Sequence, residues 1–340
     1  MLELQNQFDV AVIVPTTLRQ SLTRSISSVF NQKYNGRIQI LIGIDIKNGE
    51  MSQLDVLLQK CPANMAITIL DLGYSTSIRH GGIYKNKYSG AIRTILSYAA
   101  NSRYVAYLDD DDWWRSDHIE KLMKVVAGRD WAFSLRWFVD KETAWPICKD
   151  EWDSLGPGKG INQKRFGGFI QPSNLILNKE ACHFIFPYWS LSPFEDGTGE
   201  DRMVFAALLK HTNYSESEAH TCFYEMPKEV QHHEHHKKEF KLRDKNWLYE
   251  DSILKQLKTF ESMAKKDFID EKISPKELLE KLLTLNSNSI AGLLGSARLA
   301  KLDNDISSYS SYLERLIDLI GPEPFNFDGV QSDLLRPILN

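Results

Sequence analysis

The sequence predicts an α/β chain with a Rossmann-like first half and an all-helical end. Three observations carry that reading. Short apolar runs bounded by polar turns recur through the first half, segments of helical spacing lie between them, and from about Glu234 onward only helical spacing remains. Alternation of this kind calls for a mostly parallel central sheet, with right-handed crossovers and helices on both faces.

The elements follow in order. Residues 10–14 form an apolar run that suits a buried strand, and Leu18, Leu22, Ile26 and Val29 then share one helical face. Thr17 followed by Gln20 has the spacing of a capping box for that helix. Residues 38–44 and 66–70 read as the next two strands, and Ile92, Ile95, Leu96 and Ala99 as the face of a second helix. Residues 104–108 make a fourth strand; Ile119, Leu122, Met123 and Val126 make a third helix with Ser116 as its expected N-cap, and residues 131–138 make a fifth strand. Residues 143–168 hold Pro146, Gly156, Pro157, Gly158, Gly160, Gly167 and Gly168 and read as a long irregular loop of the kind that often carries function. A short strand at 175–177, a helix at 202–209 and a strand at 222–224 complete the first part. In the tail, Ser274, Pro275 and Glu277 start one helix, Gly321 and Pro322 stop another, and residues 289–320 suit a helical hairpin. The expected division is a catalytic domain over 1–230 and a helical extension over 231–340.

Composition narrows the function. The chain has 340 residues, 42% hydrophobic and 25% charged, which suits a folded globular protein. A net charge of -4 offers no general attraction to nucleic acid, so the expected ligand is small or neutral. Cys61, Cys148, Cys182 and Cys222 are scattered and form no paired motif, which fits a reducing cytoplasmic setting. Residues 1–8 lack the features of a signal peptide, and no apolar run approaches the roughly 18 residues of a membrane span. Membrane contact is therefore expected to be peripheral, at the inner face.

The chemistry centres on one run. The strand at 104–108 leads directly into Asp109, Asp110, Asp111 and Asp112, followed by Trp113 and Trp114. Four adjacent carboxylates raise each other's pKa unless a cation or strong donors compensate them, and a divalent cation would do so. In open parallel sheets ligands bind outside the carboxyl ends of strands, where this run falls. Oxygen-only ligands suit Mn²⁺ or Mg²⁺, with a diphosphate completing the shell. The competing account is a solvated turn that caps the helix beginning near Asp117.

Val12-Ile-Val-Pro-Thr16, the helix ending in Val29-Phe-Asn-Gln32, and Tyr107-Leu-Asp-Asp-Asp-Asp-Trp113 together resemble family 2 glycosyltransferases of the GT-A type, over residues 8–225. That resemblance implies a nucleotide-binding half over 1–112 and an acceptor half over 113–230. It implies Asp111 as a metal ligand, with Asp109 and Asp110 on the nucleotide ribose or on metal-bound water. It places the base against Pro15, Thr16, Thr17 and Asp45, with UDP the expected nucleotide. The family usually shows two acids at the second strand end, where this chain has only Asp45; the other account of Asp45 is a turn residue paired with Asn48. Arg93 matches the arginine of a glycine-alanine-arginine-asparagine pattern, although Thr94 replaces the asparagine. It is expected to orient the nucleotide or the aspartate turn, unless it lies on a helix surface.

Inverting transfer needs a carboxylate to accept the acceptor hydroxyl's proton. Asp201 matches the family's Glu-Asp motif, with Glu200 assisting or binding the acceptor. Thr198 and Asp201 also have capping-box spacing, which offers a purely structural role. Trp189 and Phe194 suit stacking on a sugar face or local packing. Among His232, His233, Glu234, His235 and His236, His233 is the expected contact to the metal, against a solvated run. The expected partners are a nucleotide-sugar donor and a carbohydrate or glycoconjugate acceptor, in bacterial-type polysaccharide or glycoconjugate synthesis. The helical tail is an expected surface for homo-oligomer formation. Two other classes compete: a sugar nucleotidyltransferase, disfavoured because residues 15–19 contain no glycine, and a catalytically inactive nucleotide-sugar-binding relative.

Overall fold

The computed structural model describes residues 8–140, 146–211, 213–226, 234–243, 275–285, 287 and 290–320. Two compact units make up the chain: Met1–Trp137 with Lys149–Tyr224, and Phe138–Cys148 with Glu225–Asn340.

The strands are β1 (Phe8–Thr16), β2 (Ile38–Ile44), β3 (Met65–Asp71), β4 (Ser102–Tyr107), β5 (Trp113–Trp114), β6 (Trp131–Asp140), β7 (Pro146–Lys149), β8 (Gly156–Pro157), β9 (Gly168–Phe169), β10 (Leu175–Asn178) and β11 (Tyr214–Met226). Between them lie α1 (Ser21–Phe30), α2 (Ser52–Lys60), α3 (Gly90–Ala99), α4 (His118–Val126), α5 (Gln163–Phe166), α6 (Lys179–Cys182) and α7 (Glu200–Leu208). The main sheet runs β3-β2-β1-β4-β10-β6-β11-β5. Its first four strands are parallel, as the alternation predicts. Beyond β4 the pairing changes, because β10 inserts antiparallel between β4 and β6 and β11 pairs antiparallel with β5. β4 and β6, joined through α4 (His118–Val126), therefore run in the same direction, with β10 between them.

Alternate side chains of the parallel strands fill two cores. Val10, Val12 and Val14 join Ile38, Ile40 and Ile42 beneath Leu22, Ile26 and Val29 of α1 and Ile119, Leu122 and Val126 of α4. On the other face Ala11, Ile13, Val105 and Tyr107 pack with Ile92 and Leu96 of α3 and Val204, Phe205 and Leu208 of α7. The strands are thus covered on both sides, and because the first four are parallel their C-terminal ends share one edge.

Two helix starts differ from expectation. Helix α1 begins at Ser21 and Gln20 makes no side-chain cap bond. Thr16 and Thr17 are held by the aspartate turn instead, so no capping box forms at Thr17. Helix α4 begins at His118 after Asp117, not after Ser116, and the Asp117 carboxylate accepts from Arg115 Nε at 2.6 Å and Nη2 at 2.7 Å.

In the second unit, α8 (Glu234–Leu242) buries His236 and Phe240 against Phe138. Pro275 opens the helix Pro275–Leu285, as its signal predicts. Helices Ile290–Leu302 and Ile306–Ile320 follow, and Gly295 of the first lies so close to Leu279 that a Cβ there would come within 2.5 Å of it. No helix of the described residues is long and apolar enough to cross a membrane.

Candidate active site

The acid run leaves β4 at the C-terminal edge of the parallel strands, beside the exit of β1. Arg19 is shared between Asp110 and Asp111, and Gln171 between Asp109 and Asp112. Asp110 Oδ2 accepts from Thr16 Oγ1 at 2.7 Å and from Thr17 N at 3.3 Å. Burial, and after it Asp111, push the Asp110 carboxyl up to about 6 against the pull of Arg19. Asp111 is the outermost of the four and accepts from Arg19 Nη1 at 2.5 Å. Asp109 pairs with Arg93. Asp112 is buried and accepts from Ser173 Oγ at 2.6 Å and Gln171 Nε2 at 2.5 Å. Its carboxyl is held well above the ordinary range by burial and then by Asp111 and Asp109.

The turn itself is pinned through its main chain. Arg24 donates to Asp111 O at 3.0 Å and stacks over Trp113 at 3.8 Å, while Ser25 Oγ donates to Asp112 O at 2.5 Å. Trp114 Nε1 donates to Ser173 O at 2.7 Å. The solvated-turn account therefore fails for Asp110 and Asp112, which point inward. The four carboxylates do not converge either: among the described residues no three acidic, histidine or cysteine side chains form a ready metal cage.

Asp45 ends β2 at the same edge, joined to Thr16 by a backbone bond of 2.9 Å. Its carboxylate accepts from Ser75 Oγ at 2.9 Å, Thr76 N at 2.9 Å and Thr76 Oγ1 at 3.0 Å. Asn48 bonds Thr17 O through its backbone, so Asp45 is no turn residue paired with it. Pro15, Thr16, Thr17, Asp45 and Asp110 thus gather around one strand-end corner.

Arg93 is only 6% exposed, which rules out the helix-surface reading. From α3 it donates to Tyr88 O at 2.8 Å, pairs with Asp109, and lies 3.7 Å from Glu200 Oε1. One guanidinium thereby ties the acid turn to the start of α7. That start also needs glycine: Gly199 has φ of 84° and lies within van der Waals reach of the Phe194 ring, 2.7 Å from where a Cβ would sit. The capping box expected at Thr198 does not form. Thr198 Oγ1 donates to Asp196 at 2.7 Å, and the Asp201 carboxylate accepts from Arg202 N at 2.8 Å.

Both acids of the pair titrate abnormally. Burial, with help from Asp201, pushes Glu200 up to about 8, and burial also raises Asp201 against the pull of Arg202. Trp189 is buried against Tyr107 at 4.7 Å and belongs to the core, not to a sugar platform. Phe194 is half-buried and meets Phe166 edge-on at 6.4 Å. His233 lies outside the described residues, and His236 is buried in the second unit.

A pH test follows from Glu200. Its folded pKa of about 8 lies above its ordinary 4.5, so the stability this group contributes is full below the lower value and is lost as pH rises through the upper. The melting temperature of wild type is expected to fall across that window relative to Glu200→Gln, which should be flatter and more stable at the alkaline end. Parallel melting curves for the two proteins check it.

Sequence reasoning missed Arg19, Gln171 and Ser173 as parts of the site. Arg19 carries a weak signal, being the first cation after the β1 exit. Gln171 and Ser173 carry none, because they reach Asp112 only through the antiparallel insertion of β10.

Residues 82–182 match the family described as Glycosyl transferase family 2, a stretch that holds Arg93, the acid turn, Gln171 and Ser173. No curated protein matches the chain. Among solved structures, S. aureus TarS is 12% identical with a TM-score of 0.47, covering 91% of this chain and 49% of that one, so this chain spans about half its length. S. aureus TarS 1–349 in complex with UDP-GlcNAc is 13% identical with a TM-score of 0.46, covering 91% of this chain and 81% of that one. The complex of TarS 1–349 with UDP is 13% identical with a TM-score of 0.46, covering 90% of each.

Proposed function

We infer that this chain, a family 2-like glycosyltransferase of the GT-A type, moves a sugar from a nucleotide-diphosphate donor to an acceptor hydroxyl with inversion at the anomeric carbon. The observation that carries the reading is Arg93, which bonds Asp109 and faces Glu200 and so brings the acid turn and the Glu200–Asp201 pair to one place. The corner formed by Pro15, Thr16, Thr17 and Asp45 takes the nucleoside. Three donors already engage Asp45, yet a carboxylate offers about four lone-pair sites, which leaves it able to accept from a uracil imide. Asp201 takes the proton from the attacking hydroxyl, and burial, by raising its pKa, strengthens it as a base. Glu200 positions the acceptor and keeps Arg93 in place.

The acid turn fits a divalent cation by its donor set. Asp111 presents an outward carboxylate paired with the half-exposed Arg19, and ions such as Mg²⁺ are commonly held by one or two carboxylates plus substrate phosphates. Mn²⁺ or Mg²⁺ on Asp111 would supply positive charge to the departing diphosphate. Polysaccharide or glycoconjugate synthesis of bacterial type, in the cytoplasm or peripherally at the inner face of the membrane, is the setting we assign.

The test is a thermal-shift panel of UDP, GDP and their sugars with and without Mn²⁺, followed by transfer assays on the stabilising donor. Stabilisation by one nucleotide sugar with Mn²⁺ is expected. Asp111→Ala should abolish the Mn²⁺-dependent part of that shift and lower transfer at least about 100-fold, the scale at which loss of one charge-stabilising contact acts. Full transfer in that variant would reject the assignment.

A further inference from the structure

The connection between β3 and α3 carries a surface to which the transfer reaction, as proposed above, gives no role. Residues 74–88 contain Arg79, Lys85 and Lys87 and not one acid, in a chain whose net charge is -4. Five of the fourteen exposed large apolar side chains among the described residues fall here: Tyr74, Ile78, Ile83, Tyr84 and Tyr88. Ile83 is 85% exposed, the highest of them all.

The exposure is built, not loose. Ser77 and Tyr84 form a β-bridge, with Tyr84 N donating to Thr76 O at 3.2 Å, Ile78 N to Tyr84 O at 3.1 Å and Gly82 N to Ser77 O at 2.8 Å. Ser77 Oγ closes the base, its one proton shared between Asn86 O at 2.9 Å and Lys87 O at 3.1 Å. Gly82 passes so near Thr76 that a Cβ would come within 2.4 Å of its backbone carbon. One end is anchored by Thr76 on Asp45 and the other by Lys87 N on Gly197 O at 2.7 Å. The loop, closed by a parallel bridge, therefore holds Ile78, Ile83 and Tyr84 out in solvent. Arg79 and Lys85 make no ion pair among the described residues, and Lys87 approaches Asp196 only at 4.0 Å.

Aliphatic side chains that leave water, tyrosines with an apolar body and a polar tip, and unpaired cations are the composition that an anionic membrane interface selects. A diphosphate would use the cations and leave Ile83 unexplained. We propose that residues 74–88 form a docking loop for a negatively charged lipid surface, with Ile78 and Ile83 entering the headgroup layer and Arg79, Lys85 and Lys87 meeting the lipid phosphates. The nucleotide corner would then open close to that surface, because Thr76 joins the loop to Asp45.

The test is flotation of the full chain with phosphatidylcholine vesicles and with vesicles also holding phosphatidylglycerol. Wild type is expected to float only with the anionic vesicles and to be released by salt as screening grows. Ile83→Asp should lower partition at least about tenfold, since it replaces an inserting side chain with a charge. Arg79→Gln with Lys85→Gln should lower it about fivefold for each cation removed, the value of one basic residue near an anionic surface. Ile83→Asp should keep wild-type melting and wild-type transfer to a water-soluble acceptor. Failure of wild type to float, or variants that float as well as wild type, would overturn the proposal. So would an Arg79→Gln, Lys85→Gln pair that raises donor KM with flotation unchanged, which would assign the cations to the donor phosphates.

Discussion

Asp201→Asn should cost sugar transfer about 10²- to 10⁴-fold in kcat, the range that a positioned general base contributes, while nucleotide affinity and melting temperature stay at wild-type levels. The substitution isolates proton transfer. Asparagine keeps the shape of the side chain and an oxygen that can still accept from Arg202 N, so the start of α7 retains its local bond. It loses the ability to take up a proton. Stability should not suffer, because burial already disfavours the charged form of Asp201 and a neutral amide meets the same surroundings without that cost. Glu200→Gln should reduce transfer less and should raise acceptor KM, since that residue faces Arg93 and its own burial favours the protonated form at neutral pH. Transfer kinetics and isothermal titration with the nucleotide read both variants. Unchanged kcat in Asp201→Asn would move the base to another carboxylate.

What could be read in the sequence, and what could not, divides along the sheet. The parallel half was legible because its strands are buried on both faces and its helices carry one apolar stripe, so periodicity alone separates them. The strand-end location of Asp109–Asp112 followed from that, and so did the corner around Thr16 and Asp45. Arg93 shows the limit. Its neighbours Ile92 and Leu96 are core residues, and nothing in the pattern shows that its guanidinium turns inward to Asp109. The antiparallel half was legible as strands without neighbours, because which strand pairs with which is settled by long-range packing. The position of β10 between β4 and β6 is what delivers Ser173 to Asp112, and no local signal announces it.

Residues 143–168 illustrate the same limit and supply the second large effect. Their glycines and prolines read as an irregular loop, yet the described part from Asp150 onward is organised around one buried cation. Arg136 is 1% exposed and donates from Nε to Asp150 at 2.8 Å and from Nη2 to Asp153 at 2.6 Å, with Tyr224 4.2 Å from its guanidinium. Burial works against its charge, but Asp150 and Asp153 outweigh that and hold it protonated. Asp150 also accepts from the backbone of Trp152, Asp153 and Ser154, and Ser154 Oγ accepts from Gln171 N at 2.9 Å. Gln171 is the residue that holds Asp112. Arg136→Met should therefore destabilise the protein by about 3–5 kcal/mol, the cost of leaving buried carboxylates without their cation. For a unit of this size that corresponds to a fall in melting temperature on the order of 10 °C. The triple variant Arg136→Met, Asp150→Asn, Asp153→Asn should recover part of the loss, because removing the stranded charges removes the largest penalty. Thermal denaturation of the three proteins decides it. A single variant as stable as wild type would mean that the two aspartates find water or protonate at little cost, and that the path from Arg136 through Ser154 and Gln171 to Asp112 is not under tension from this end.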